Sequence, residues 1–181
     1  MEAGYIAIAA LLVLAALLAV VLPRLRSRRL HARFGPEYDN AVLGHDGQVR
    51  LAEQELSDRI SRHRSLRITP LDAADRDRAA AELQGLQALF VEDPLRAVAE
   101  ADSLLDTVLG RMGYPEKGRL EAVSVDHPAA LARYRTARRT LVRAQGGEAG
   151  DSEALRMALI AVRDLAQELL HRTRQGALAT R

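Results

Sequence analysis

From Ala3 to Leu22 the chain runs through twenty uncharged residues, and at Arg24 the pattern switches to a basic collar of Arg24, Arg26, Arg28, Arg29 and Arg33. At about 1.5 Å per residue such a run makes roughly 30 Å of helix, the thickness of a bilayer's hydrocarbon core. The pattern predicts a transmembrane anchor over residues 1–23, with Leu11, Leu12, Leu14, Leu17, Leu18 and Leu22 among its main apolar contributors. The flanks argue against a cleaved secretory signal. Met1 to Tyr5 holds no positive charge, and Pro23-Arg24-Leu25-Arg26 stands where small residues would mark a cleavage site. Arginines next to a span stay on the cytoplasmic side, because carrying them across costs desolvation and opposes the membrane potential. The expected topology is an N-terminus outside, a basic juxtamembrane linker over residues 24–36, and a cytoplasmic domain at the cell membrane.

Beyond the collar the apolar positions recur at the helical period, with almost no strand alternation. Between Leu51 and Leu66 only Leu56 and Ile60 stand among charges, which predicts a largely solvated helix ended by Ile68-Thr69-Pro70. The next helix spans about Asp72 to Glu92, with Ala79, Leu83, Leu86 and Phe90 on one stripe. Asp93-Pro94 reads as an N-cap and first helical residue, opening a helix with Val98, Ala101, Leu105, Val108 and Met112 inward. Gly113 and Pro115 close it. Residues 116–125 read as irregular, with at most a short helical piece. Asp126-His127-Pro128 then opens a helix whose inner face is Leu131, Tyr134, Ala137 and Leu141, ending at Gly146-Gly147. The last helix starts near Asp151 and carries Leu155, Leu159, Val162, Ala166 and Leu169 before fading at about Arg172. The fold class expected is all-α: one transmembrane helix, then an antiparallel bundle of about five helices over 37–172, with a flexible tail at 173–181.

Charge sharpens this picture. Of 26 basic residues five lie in the collar, and of 24 acids only Glu2 precedes residue 34, leaving 21 bases against 23 acids on the domain. A nucleic-acid binder concentrates positive charge on its folded part and adds aromatic rings to stack on bases, whereas aromatics make up 3% here. No nucleic-acid partner is expected. The collar is instead assigned to contact with anionic lipid headgroups.

Chemistry-bearing motifs are few. With no cysteine there is no disulfide, thiol nucleophile or CxxC metal site. His31, His45, His63, His127 and His171 show no metal-ligand spacing, and no metal or cofactor is expected. Asp72, Asp75 and Asp77 suggest a calcium loop, but its sixth and twelfth positions hold Asp77 and Leu83 instead of Gly and Glu, so they read as first-turn acids. Gly44-His45-Asp46-Gly47 lacks a preceding strand and any phosphate-binding pattern, and reads as a loop. Two segments are over-specified. Phe34, Gly35, Pro36 and Tyr38 read as a packed hinge where the domain leaves the membrane. Ser124 to Pro128 reads as a capping turn, with Asp126 and His127 as a candidate surface site.

The order FGPEYD (34–39), SRHRSLRITPL (61–71), LQALFVEDPLRAVAEADSLL (86–105), GYP (113–115) and SVDHP (124–128) is similar to a family of uncharacterised bacterial proteins from high-GC lineages. Its members look like single-span secreted or membrane proteins. The resemblance implies that architecture and no activity, cofactor or catalytic residue. The expectation is a non-catalytic interaction module, with an unidentified protein partner and an open oligomeric state. The alternatives are an enzyme acting on a membrane-proximal substrate, with His127 and Arg135 in a pocket, and the same module facing outside.

Overall fold

Eight α-helices are formed in the computed structural model, which describes the backbone of residues 2–147 and 151–179. They are α1 (Glu2–Phe34), α2 (Pro36–Gly44), α3 (Val49–Arg64), α4 (Ala73–Glu92), α5 (Pro94–Arg111), α6 (Arg119–Asp126), α7 (Pro128–Gln145) and α8 (Ser152–Ala179). No strand occurs among the described residues, as the period of the apolar positions requires. Side chains at 1–10, 12, 13, 15, 16, 20 and 172–179 fall outside the described set, and with them most of the expected span at 3–22 and of the tail. Among the described residues no helix is long and apolar enough to cross a membrane.

The chain packs as two units, Met1–Leu56 and Ser57–Arg181, dividing inside α3. In the first, α1 continues through Pro23 and the arginine collar to Phe34, so residues 24–34 are helix. Pro23 lacks an N–H, so α1 forgoes one i→i−4 bond at that point. Gly35 then turns the chain at φ +49°, a conformation suited to glycine, and Pro36 occupies the first position of α2 with its φ already preset. That short helix had no counterpart among the expected elements. Among the described residues of this unit, Leu30, Phe34, Tyr38, Ala41, Ala52 and Leu56 are the buried apolar side chains.

In the second unit α5 contacts α4, α7 and α8, while α8 also lies against α7 and α4, and α6 packs on α7. The inner stripes read from the sequence are inside. Leu83 and Leu86 of α4, Val98, Ala101 and Leu105 of α5, Leu131 and Leu141 of α7, and Leu159, Val162 and Leu169 of α8 share one core. Phe90 is only partly buried and packs at its edge. Caps sit where the residue types place them. Asp72 accepts from the Asp75 N–H at 2.7 Å, and Asp93 accepts from the Arg96 N–H at 3.0 Å with Pro94 next in line. Gly113 ends α5 at φ +91°, and Tyr114 N–H returns to the Leu109 carbonyl at 3.0 Å.

One expectation is corrected. The stretch from Leu51 to Leu66 was to be mostly solvated, yet Glu53 and Arg59 of α3 are buried along with Ala52 and Leu56. Each makes hydrogen bonds to hydroxyl groups distant in sequence, which lowers the cost of taking its charge out of water.

Candidate functional site

The segment from Ser124 to Pro128 joins α6 to α7, and three of its side chains reach α3 and α8. Ser124 is fully buried. Its hydroxyl donates to the Glu121 carbonyl at 2.6 Å and accepts from Arg59 Nη1 at 3.4 Å. Asp126 Oδ2 lies 3.0 Å from His63 Nε2 on α3 and accepts from the Tyr114 hydroxyl at 3.4 Å. His127 Nδ1 lies 3.1 Å from Glu168 Oε2 on α8. The pair expected at the surface therefore sits deeper: His127 is 6% exposed, its Nε2 buried without a partner among the described residues, and Asp126 is half-buried. The capping assignment moves as well. His127, not Asp126, precedes the first residue of α7, and no side-chain bond caps that helix. Asp126 is the last residue of α6, where its carboxylate faces α3. These contacts tie three parts of the bundle together through polar groups that would be costly to bury singly.

Two of the remaining histidines also face single carboxylates. His45 meets Glu55 at 2.7 Å, and His31 lies 3.9 Å from Asp39 with its ring edge-on to Tyr38. Among the described residues no three His, Asp or Glu side chains converge to hold a metal. At the candidate hinge, Phe34 is fully buried, and Tyr38 donates to Glu53 Oε1 at 3.0 Å while Ser27 donates to the same oxygen. Burial, then the bond and charge of Glu53, push the Tyr38 phenol above its ordinary pKa. The collar residues Arg24, Arg26, Arg28, Arg29 and Arg33 are all exposed on α1.

The open site of the second unit is one the sequence reading passed over. Helix α7 carries Arg133, Arg135, Arg138, Arg139 and Arg143 and no acid in its 18 residues. Four of these arginines line a groove of about 670 Å³ together with Leu120 of α6 and Val142 of α7. Arg133 leans the other way, toward Asp164 and Glu168 of α8 at 4.0 and 3.9 Å. Within the groove Arg135 lies 4.0 Å from Glu121 and Arg138 lies 3.7 Å from Asp102. Both distances exceed a hydrogen bond, so these are loose ion pairs. Arg139 donates to the Thr136 hydroxyl at 3.0 Å, and neither it nor Arg143 has a carboxylate partner among the described residues. Val142 is 61% exposed between them. Planar guanidinium groups flanking an aliphatic strip suit a ligand that combines carboxylates or phosphates with apolar surface. The signal was present in the sequence as an 18-residue helix with one sign of charge, hidden when charge was summed over the whole domain.

No protein-family model, no curated protein and no solved structure matches this chain.

Proposed function

We propose that the protein is a membrane-anchored, non-catalytic interaction module, held at the cytoplasmic face, whose helical bundle offers the α7 groove to a protein partner. The observation that carries this reading is the groove itself: three exposed arginines and the half-buried Arg135, from a helix without acids, set around the exposed Val142. Cations set this close repel one another and become favourable against a complementary anionic partner. Anchoring is supported by the uncharged run from Ala3 to Leu22 and by the exposed arginines that follow it on the same helix. In this reading the collar meets anionic headgroups, and Phe34, Gly35, Pro36 and Tyr38 fix how the chain turns as it leaves the membrane. Tethering raises the local concentration of the bundle near membrane partners without any added contact. The buried polar groups fit a supporting role, since Ser124, Asp126 and His127 are each engaged with the bundle's own side chains.

Reporter fusions test the placement. Alkaline phosphatase joined after Arg181 is expected to be inactive, and a cytoplasmic fluorescent protein at the same point bright. An active C-terminal phosphatase, or mature protein free of membranes, overturns it.

A further inference from the structure

The groove on α7 has a register. Arg135, Arg139 and Arg143 stand four residues apart, which spaces them by about 6 Å along the helix axis and puts them in one row about 12 Å long. Arg138 widens the row at its centre, and Leu120 and Val142 supply aliphatic surface beside it. Resting on the interaction-module reading above, we infer that this groove takes an acidic amphipathic helix of another protein, with carboxylates at i, i+4 and i+8 and aliphatic side chains next to them.

Three features select that occupant. A partner helix laid along α7 repeats the same axial spacing, so carboxylates at i, i+4 and i+8 face the three guanidiniums in step. A single phosphate headgroup reaches one or two of them and leaves the rest of the row unmet. A second copy of the chain does not supply the pattern either, because no position in its sequence begins a run of Asp or Glu at i, i+4 and i+8. Nucleic acid is disfavoured because none of the lining residues is aromatic, so the groove lacks the ring platforms on which bases most often stack. Arg138, Arg139 and Arg143 are exposed along the row, and Arg135 is half-buried. Arg139 engages only the Thr136 hydroxyl among the described residues, and the ion pair of Arg138 with Asp102 is loose at 3.7 Å.

The test uses the full chain in lipid nanodiscs and a fluorescein-labelled helical peptide bearing Glu at i, i+4 and i+8 beside leucines. Fluorescence anisotropy is expected to show saturable binding that weakens as salt is raised, and no binding of the analogue with Lys in place of Glu. R139E/R143E is expected to weaken the Glu peptide by at least about tenfold and to capture the Lys analogue, since the charges have been exchanged. Val142→Asp weakens the Glu peptide as well, while R62E/R64E on the exposed end of α3 leaves it unchanged. Far-UV circular dichroism confirms that each variant is folded. The inference is overturned if the Glu peptide does not bind, if R139E/R143E binds it as tightly as wild type, or if phosphatidylglycerol vesicles displace it through the same arginines. Those outcomes leave the membrane-tethered module standing, because the reporter fusions judge that separately.

Discussion

Tyr134 on α7 donates its phenolic hydrogen to Asp102 Oδ1 on α5 at 2.6 Å, bridging two helices of the core through one short bond. The other oxygen of Asp102 faces Arg138 at 3.7 Å, at the edge of the arginine groove. Tyr134→Phe keeps the ring packing and removes only the hydroxyl, so it should cost about 1 to 2 kcal/mol, read from the thermal unfolding transition. Burial first, and then the bond and charge of Asp102, hold the Tyr134 phenol well above its ordinary pKa of 10.0. A proton held more tightly in the folded state stabilises the fold fully below the unfolded pKa, and that contribution is lost progressively as pH rises from there through the raised folded value. The stability gap between wild type and Tyr134→Phe should therefore hold up to about pH 10 and narrow as pH rises above it. Tyr38 is shifted upward too, but it is present in both proteins and its effect cancels. A gap that stays constant over that range would contradict the assignment.

Gly113 is the position at which glycine is least replaceable. Its φ is +91°, and a Cβ there would stand 2.6 Å from the Arg67 carbonyl oxygen. That carbonyl belongs to backbone fixed nearby by the Thr69 N–H, which donates to the Met112 carbonyl at 2.9 Å. The clash therefore has no flexible side chain to absorb it. Gly113→Ala should destabilise the protein by roughly 2 to 4 kcal/mol, combining left-handed strain with the steric conflict. Gly147→Ala, at φ +85° with open space around it, should cost only about 1 kcal/mol. Equal losses for the two variants would show that the close approach to Arg67 carries no weight.

The four inner stripes were legible because each of α4, α5, α7 and α8 buries one face, and a 3.6-residue period then has a single physical meaning. The caps at Asp72 and Asp93 were legible for a similar reason: a cap is a local bond. What was hidden depends on residues far apart in sequence. Glu53 and Arg59 look solvated until Tyr38 and Ser124 are brought to them. Asp126 resembles a cap until His63 and Tyr114 arrive from elsewhere in the bundle. The α7 arginines were local and still missed, because the acids of the other helices balance them in any sum over the domain.

Asp126 holds the end of α3 against the bundle, so its loss should act locally before it acts globally. Asp126→Ala removes the carboxylate facing His63 and leaves the Tyr114 hydroxyl without that acceptor, a loss of about 1 to 3 kcal/mol. Amide hydrogen exchange should accelerate first across residues 59–66, where α3 ends, while the α5 amides around Leu105 keep their protection. Uniform acceleration throughout the second unit would mean that the contact supports the whole core rather than one helix end.

The arginine collar is the last determinant, and it acts as a set. In the membrane-anchored reading proposed above, each exposed guanidinium on α1 would resist transfer to the far side of the membrane, and orientation would follow the summed bias of the charges flanking the anchor. One Arg→Ala change leaves four of the five in place and should leave the reporter at Arg181 cytoplasmic. Replacing Arg24, Arg26, Arg28, Arg29 and Arg33 by Gln together removes that bias, with only Glu2 left as a charge before the span. A C-terminal alkaline phosphatase should then rise from background to substantial activity, as part of the population inserts the other way. Restoring Arg24 and Arg26 alone should recover most of the original orientation, because charges closest to the span weigh most. If the fully neutralised collar leaves the reporter silent while the protein stays in the membrane, the orientation is set by folding of the bundle before insertion and not by the arginines.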